Sequence, residues 1–177
     1  MNARTPTPKK RRKLALPRWA IPPVWTALVT IIMGALPWSV SLIGPRLGWS
    51  QGTPGSWNLA GIIAIAAGLG GYVCCLVFHF KSYRASVPVG FSPPHLVVSG
   101  PYRLSPNPMY VSGLFAWLGW AVFYGSPAVL VGMVLLWLLF TVRVIPYEER
   151  QLEALFGDEY REYKRSVRRW IGQKQAR

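Results

Sequence analysis

Four long apolar runs constrain this chain more than any other feature. Residues 24–43, 59–80, 110–123 and 127–144 contain no acid, and His79 and Arg143 are the only His, Lys or Arg within them. Twenty residues of α-helix rise about 30 Å, the thickness of a bilayer's hydrocarbon core. A helix satisfies its own backbone polar groups in that medium. The expectation is therefore an all-α integral membrane fold of about four transmembrane helices. The last two form a hairpin turned at Tyr124-Gly125-Ser126-Pro127, with Pro127 starting the second helix. They are shorter than the first two, and a re-entrant hairpin is the alternative to two crossings.

The charge distribution orients these spans. The net charge is +14 over 177 residues, yet all six acids lie between Glu148 and Glu162. Seven basic residues precede residue 24, three fall in 81–109 and eight follow Pro146, whereas the opposite loops hold Arg46 alone. By the positive-inside rule both termini and the 81–109 loop are cytoplasmic, with their cations against anionic lipid. No basic motif of a nucleic-acid reader is visible, so nucleic acid is not an expected partner. The chain's shortness points to a prokaryotic plasma membrane. Three regions follow: a basic, Thr-Pro-rich tail over 1–18 with too little apolar surface to fold, two transmembrane helices over 19–80, and a core over 81–177.

Details refine this outline. Pro37 should kink the first span. The Gly- and Pro-rich loop 44–57 offers Trp49 and Trp57 as interfacial anchors. Ala64 and Gly68, then Ala67 and Gly71, are small residues four apart, a spacing that lets another helix approach closely. Adjacent Cys74 and Cys75 read as small buried residues, neither a disulfide nor a metal site. His79 reads as an interfacial side chain. After Pro146, Leu152, Phe156, Tyr160, Tyr163, Val167 and Trp170 make an apolar stripe at helical spacing. That predicts one amphipathic helix along the interface, bent at Gly157.

Two polar patches fall on the cytoplasmic face: the Pro- and Gly-punctuated loop 94–110, and Tyr147-Glu148-Glu149-Arg150. Ionisable residues near membrane depth are costly and take partners. Arg143, Glu148 and Glu149 are therefore candidate site residues. The bland alternative is a snorkelling arginine beside two solvated glutamates.

The pieces Gly100-Pro101-Tyr102-Arg103, Asn107-Pro108-Met109-Tyr110, Glu148-Glu149-Arg150-Gln151-Leu152 and Phe156-Gly157-Asp158-Glu159-Tyr160 through Tyr163 resemble, in order and spacing, the isoprenylcysteine carboxyl methyltransferase family and related phospholipid methyltransferases. The resemblance covers about residues 94–170. It implies an S-adenosylmethionine site on the cytoplasmic face, with Pro94, His95, Leu96 and Val97 lining the cofactor, joined by Tyr102, by Asn107, Pro108, Met109 and Tyr110, and by Glu148. It also implies that Arg143 and Glu149 serve the reaction, Arg143 by contacting the substrate. Asn107 stands where the family has His and Pro106 where it has Arg. Arg143 lies five residues before Glu148 rather than four. Asn hydrogen-bonds but does not titrate near neutrality.

The implied chemistry suits these residues. A glutamate can bind the cofactor's α-ammonium, and a tyrosine face suits a sulfonium cation. A carboxylate acceptor is already ionised at neutral pH and needs an arginine rather than a base. The expected function is methyl esterification of a lipidic, isoprenylcysteine-like carboxylate entering from the bilayer. Amine methylation of a phospholipid, or a non-catalytic membrane scaffold or transport subunit of the same fold, are the alternatives.

Overall fold

The computed structural model describes residues 27–82 and 95–173. The basic tail 1–18, the start of the first apolar run, residues 83–94 with Pro94, and the side chain of His79 lie outside the described residues. The elements are α1 (Ala27–Val40), a two-stranded ribbon of β1 (Trp49–Ser50) and β2 (Thr53–Pro54), α2 (Ala60–Ser82), a 3₁₀ turn (Gly100–Arg103), α3 (Pro108–Tyr124), α4 (Pro127–Phe156) and α5 (Asp158–Ser166). The ribbon was not expected in an all-α chain. Its tight turn places Gln51 and Gly52 at positive φ, and Trp49 pairs with Pro54.

Helices α2 and α3 pack along a seam of small residues. A Cβ on Gly68 would collide with the backbone of Ala116, and one on Gly61 with Phe123 and the Gly119 carbonyl. Gly119 in turn lies on the Ala64–Ile65 backbone, and Gly71 faces Ser112. The close approach expected from Gly68 and Gly71 is thus made with α3. The hairpin turn is also as expected: Gly125 caps α3 at φ +56, and the Ser126 hydroxyl caps α4 by accepting from the Val129 amide. Trp117, Ala121 and Val129 form the core between α3 and α4, closed on the α1 side by Met33 and Val40.

Pro37, expected to kink the first span, is preceded in α1 by a π-turn over Ile31–Ala35. Proline has no amide hydrogen for the carbonyl four residues earlier, that of Met33. The Trp120 indole donates to the Met33 carbonyl at 2.7 Å, and the Trp117 indole to that of Ile32 at 3.1 Å. α3 therefore supplies donors where α1 lacks them. α1 ends at Val40, three residues short of the apolar run; there the chain tightens into a turn in which the Leu42 and Ile43 amides donate to the Ser39 and Val40 carbonyls.

The ribbon end is locked by fully buried Asn58. Its amide donates to the carbonyls of Leu47 and Val122, and its Oδ1 accepts from the Gly55 amide. Trp49, expected as an interfacial anchor, packs on Phe123 and Tyr124 and donates to the Phe123 carbonyl. Trp57 is half exposed.

Two helices, α2 and α4, are long and apolar enough to cross a membrane. Their apolar residues face outward: Ile63 is 74% exposed, Leu135 60% and Val142 62%. Surface of that kind is unfavourable in water over such a length. Cys75 is buried as expected, while Cys74 is exposed.

The C-terminal stripe differs from expectation. α4 runs unbroken through Pro146 to Phe156, and Gly157 (φ +55, ψ −120) breaks it, a conformation open essentially to glycine. α5 then ends at Ser166, so Val167 and Trp170 are not helical. Tyr160, Tyr163 and Val167 fold back on Leu152, Phe156 and Leu96 rather than forming one interfacial face.

Gly68→Leu should lower the thermal midpoint in detergent by several degrees, since overpacking costs about 1–3 kcal/mol. Gly70→Leu, with nothing near its Cβ, should leave it nearly unchanged. Equal shifts in the two variants would contradict the seam.

Candidate functional site

The end of the molecule opposite the ribbon gathers the polar motifs. Gly100 takes φ +59 and sits against the Phe78 ring of α2, which a Cβ would meet at 2.5 Å. That contact seats the 3₁₀ turn on α2, with Tyr102 tilted over Phe78 at 6.4 Å. The Ser105 hydroxyl accepts from the Asn107 amide, and Pro108 opens α3 at a position where a missing amide hydrogen costs nothing.

One turn into α3, Tyr110 crosses to α4. Its hydroxyl donates to Glu148 Oε1 at 2.6 Å, and its ring stacks on Phe140 at 4.6 Å. Among the described residues nothing else bonds the Glu148 carboxylate, so its second oxygen is uncommitted. Glu149 differs sharply. Arg169 grips it with two N–H groups at 2.9 and 3.0 Å, and Lys164 adds a third bond at 2.8 Å. Its side chain is 11% exposed and both carboxylate oxygens are engaged. Losing one partner of so enclosed a charge group is expensive.

The same residues close the C-terminal segment over the loop. The Asn107 side chain does not cap α3; it donates to the Arg169 carbonyl at 2.9 Å. The Gly172 amide donates to the Leu104 carbonyl, and the Arg168 amide to the Gly172 carbonyl. The Tyr163 hydroxyl donates to the Tyr102 carbonyl at 2.6 Å. Burial pushes that phenol up to about 12, so it remains a donor through neutral pH. At the start of α5, a hydrogen bond from the Arg161 guanidinium holds the Asp158 carboxyl below its ordinary value.

The structure thus brings together Tyr110 and Glu148, and ties Tyr102 and Asn107 to them through the C-terminal segment. Pro94 lies outside the described residues and His95 is exposed. Leu96 packs in the tyrosine cluster, Val97 and Pro108 are buried, and Met109 is half-buried. Arg143 lies within a π-turn of α4 (Phe140–Val144), exposed and without a hydrogen-bond or ion-pair partner among the described residues. It makes no hydrogen bond or ion pair with Tyr110 or Glu148. Glu149, expected with Arg143 to serve the reaction, has both oxygens engaged by Lys164 and Arg169. Phe140, Lys164 and Arg169 were missed; the last two sit in a basic run with nothing to mark which acid each would meet. An open cleft of about 480 Å³ lies nearby between Arg103 and α5, lined by Glu159, Glu162 and Tyr163 but by neither Tyr110 nor Glu148.

A close α2–α3 seam, outward apolar faces on α2 and α4, and a tyrosine–glutamate pair between α3 and α4 describe a helical protein with a membrane-suited surface and a polar end built from loop and helix termini. Residues 59–159 match the phospholipid methyltransferase family, and the chain belongs to that family. It is 41% identical over 63 residues to an uncharacterized protein of Haemophilus influenzae, covering 36% of this chain and all of that one. It is 38% identical over 90 residues to a probable protein-S-isoprenylcysteine O-methyltransferase of Oryza sativa subsp. indica, covering 49% and 46%. It is 36% identical over 89 residues to protein-S-isoprenylcysteine O-methyltransferase A of Arabidopsis thaliana, covering 49% and 45%. The match thus spans under half the length of these plant proteins. No solved structure matches the chain.

Glu149→Gln should free the C-terminal segment, by leaving Arg169 and Lys164 without their anion. Amide exchange at Arg168 and Gly172 should accelerate at least tenfold, a loss of about 1.4 kcal/mol or more. Unchanged protection there would show that the clamp does not hold the segment.

Proposed function

We propose that this protein is an S-adenosylmethionine-dependent membrane methyltransferase acting on the carboxylate of a lipidic acceptor. In this reading α1 to α4 cross the bilayer, and both termini and the 81–109 loop lie on the cytoplasmic side. Family membership supports methyl transfer. The observation that carries the site is the contrast between the two glutamates: Glu149 is consumed by two cations, while among the described residues Glu148 keeps one oxygen uncommitted beside the Tyr110 hydroxyl.

S-adenosylmethionine, when bound, supplies an electrophilic methyl on a sulfonium. The residues present fit it: Glu148 offers a carboxylate for its α-ammonium, held in place by Tyr110. Arg143, exposed and without a partner among the described residues where α4 leaves its apolar stretch, would hold an acceptor carboxylate. That acceptor is already ionised at neutral pH, so no side chain has to remove a proton. Orientation of donor and acceptor is then the main demand on the protein. Phe140 and the outward apolar face of α4 border the route by which a lipidic acceptor would approach.

Calorimetry on the purified protein should detect S-adenosylmethionine binding, weakened about tenfold or more by Glu148→Ala, in line with loss of a charge-assisted hydrogen bond of about 1.5–3 kcal/mol. Absence of binding by the wild type would favour a non-catalytic subunit of this fold. Arg143→Ala should lower turnover more than cofactor affinity. Membranes incubated with methyl-labelled cofactor should yield a base-labile product; a base-stable label would indicate amine methylation of a phospholipid instead.

A further inference from the structure

We infer that Pro146 is a positioning residue: it creates the π-turn that sets Phe140 and Glu148 on one face of α4, so that both meet Tyr110. The inference rests on the functional reading above only for its consequence on binding. Phe140 and Glu148 are eight residues apart, yet one packs on the Tyr110 ring and the other bonds its hydroxyl. At about 100° per residue, eight residues of uninterrupted α-helix would leave them about 80° apart. A π-turn absorbs one residue, which leaves the equivalent of seven, or about 20°. The π-turn over Phe140–Val144 therefore aligns them.

Its cause lies two residues on. Pro146 has no amide hydrogen for the Val142 carbonyl, and in a regular helix its ring would press on that carbonyl. Widening the turn relieves the contact, with the Ile145 amide reaching back to the Phe140 carbonyl. The same device occurs in α1. There a π-turn over Ile31–Ala35 also ends two residues before a proline, Pro37, and the Leu36 amide reaches back to the Ile31 carbonyl. Two unrelated stretches with the same offset point to the proline rather than to local packing.

The test is one of register, read by distance and by affinity. Spin labels go on Phe115→Cys of α3 and Arg150→Cys beyond the π-turn, in a Cys74→Ala, Cys75→Ala background. Pro146→Ala should relax the π-turn and rotate one half of α4 on the other, shifting the label separation by several ångström. The same substitution without labels should weaken S-adenosylmethionine binding at least tenfold. Deleting Val144 in the Pro146→Ala chain removes the extra residue from a now regular helix, and both quantities should return to near the wild-type values. A proline needed only for stability would not be rescued by a deletion. Unchanged separation in Pro146→Ala, or a folded deletion variant whose separation fails to return, overturns the inference. If Pro146→Ala does not fold, the deletion variant alone decides by the same separation. A wild type that binds no cofactor defeats the functional reading, while the separations still decide the register.

Discussion

The close seam between α2 and α3 is the contact on which the rest depends. Gly61, Gly68 and Gly71 on one helix meet Ser112, Ala116 and Gly119 on the other, near enough that a methyl group on several of them would strike backbone. Lipid does not drive helices together as water does, so close packing of small residues has to supply the attraction. Because the helices run antiparallel, the seam fixes both ends at once. It brings Phe78 beneath Gly100 at one end, beside the start of α3. At the other it brings Asn58 within reach of the Val122 carbonyl. Neither polar end could be built accurately on two helices free to slide.

Two prolines interrupt helices in this bundle, and each leaves a carbonyl that has lost its α-helical donor. In α1 the deficit is met from outside, by the indoles of Trp117 and Trp120. Both tryptophans thus serve packing and backbone hydrogen bonding, a double role suited to a ring that is apolar except at one N–H. In α4 the interruption falls where the helix leaves its apolar stretch, close to Glu148 and Arg143. A wide turn there is useful in a way that it is not in α1, because it changes which side chains share a face.

Much of the helical plan was legible because it rests on strong local signals. Gly125 and Ser126-Pro127 mark a helix end and a helix start by their own chemistry, and Gly68 and Gly71 show their seam by spacing alone. The ribbon was not legible: two residues per strand are too few for an alternating pattern to register. The break at Gly157 read as a bend, since a glycine signals freedom but not the direction the chain takes. Val167 and Trp170 kept helical spacing beyond the point where the helix stops, which periodicity cannot reveal. Within the site, Tyr110 and Glu148 came from motif resemblance and do meet. The engagement of Glu149 was hidden because Lys164 and Arg169 lie among several equivalent cations, and only the fold-back of α5 selects them.

Asn107 gives that selection a further meaning. The resembled family carries an ionisable histidine in this box, but here the side chain is an amide, and it donates to the Arg169 carbonyl. Arg169 in turn grips Glu149, the neighbour of Glu148 on α4. A neutral, non-titrating donor holds that link at any pH at which the glutamate is ionised. An imidazole at the same position would donate from one tautomer and gain charge near neutrality, coupling the C-terminal segment to pH. The substitution therefore favours a fixed framework over a proton-transfer group. In the proposed reading the acceptor arrives already ionised, so such a framework would serve alignment rather than proton transfer.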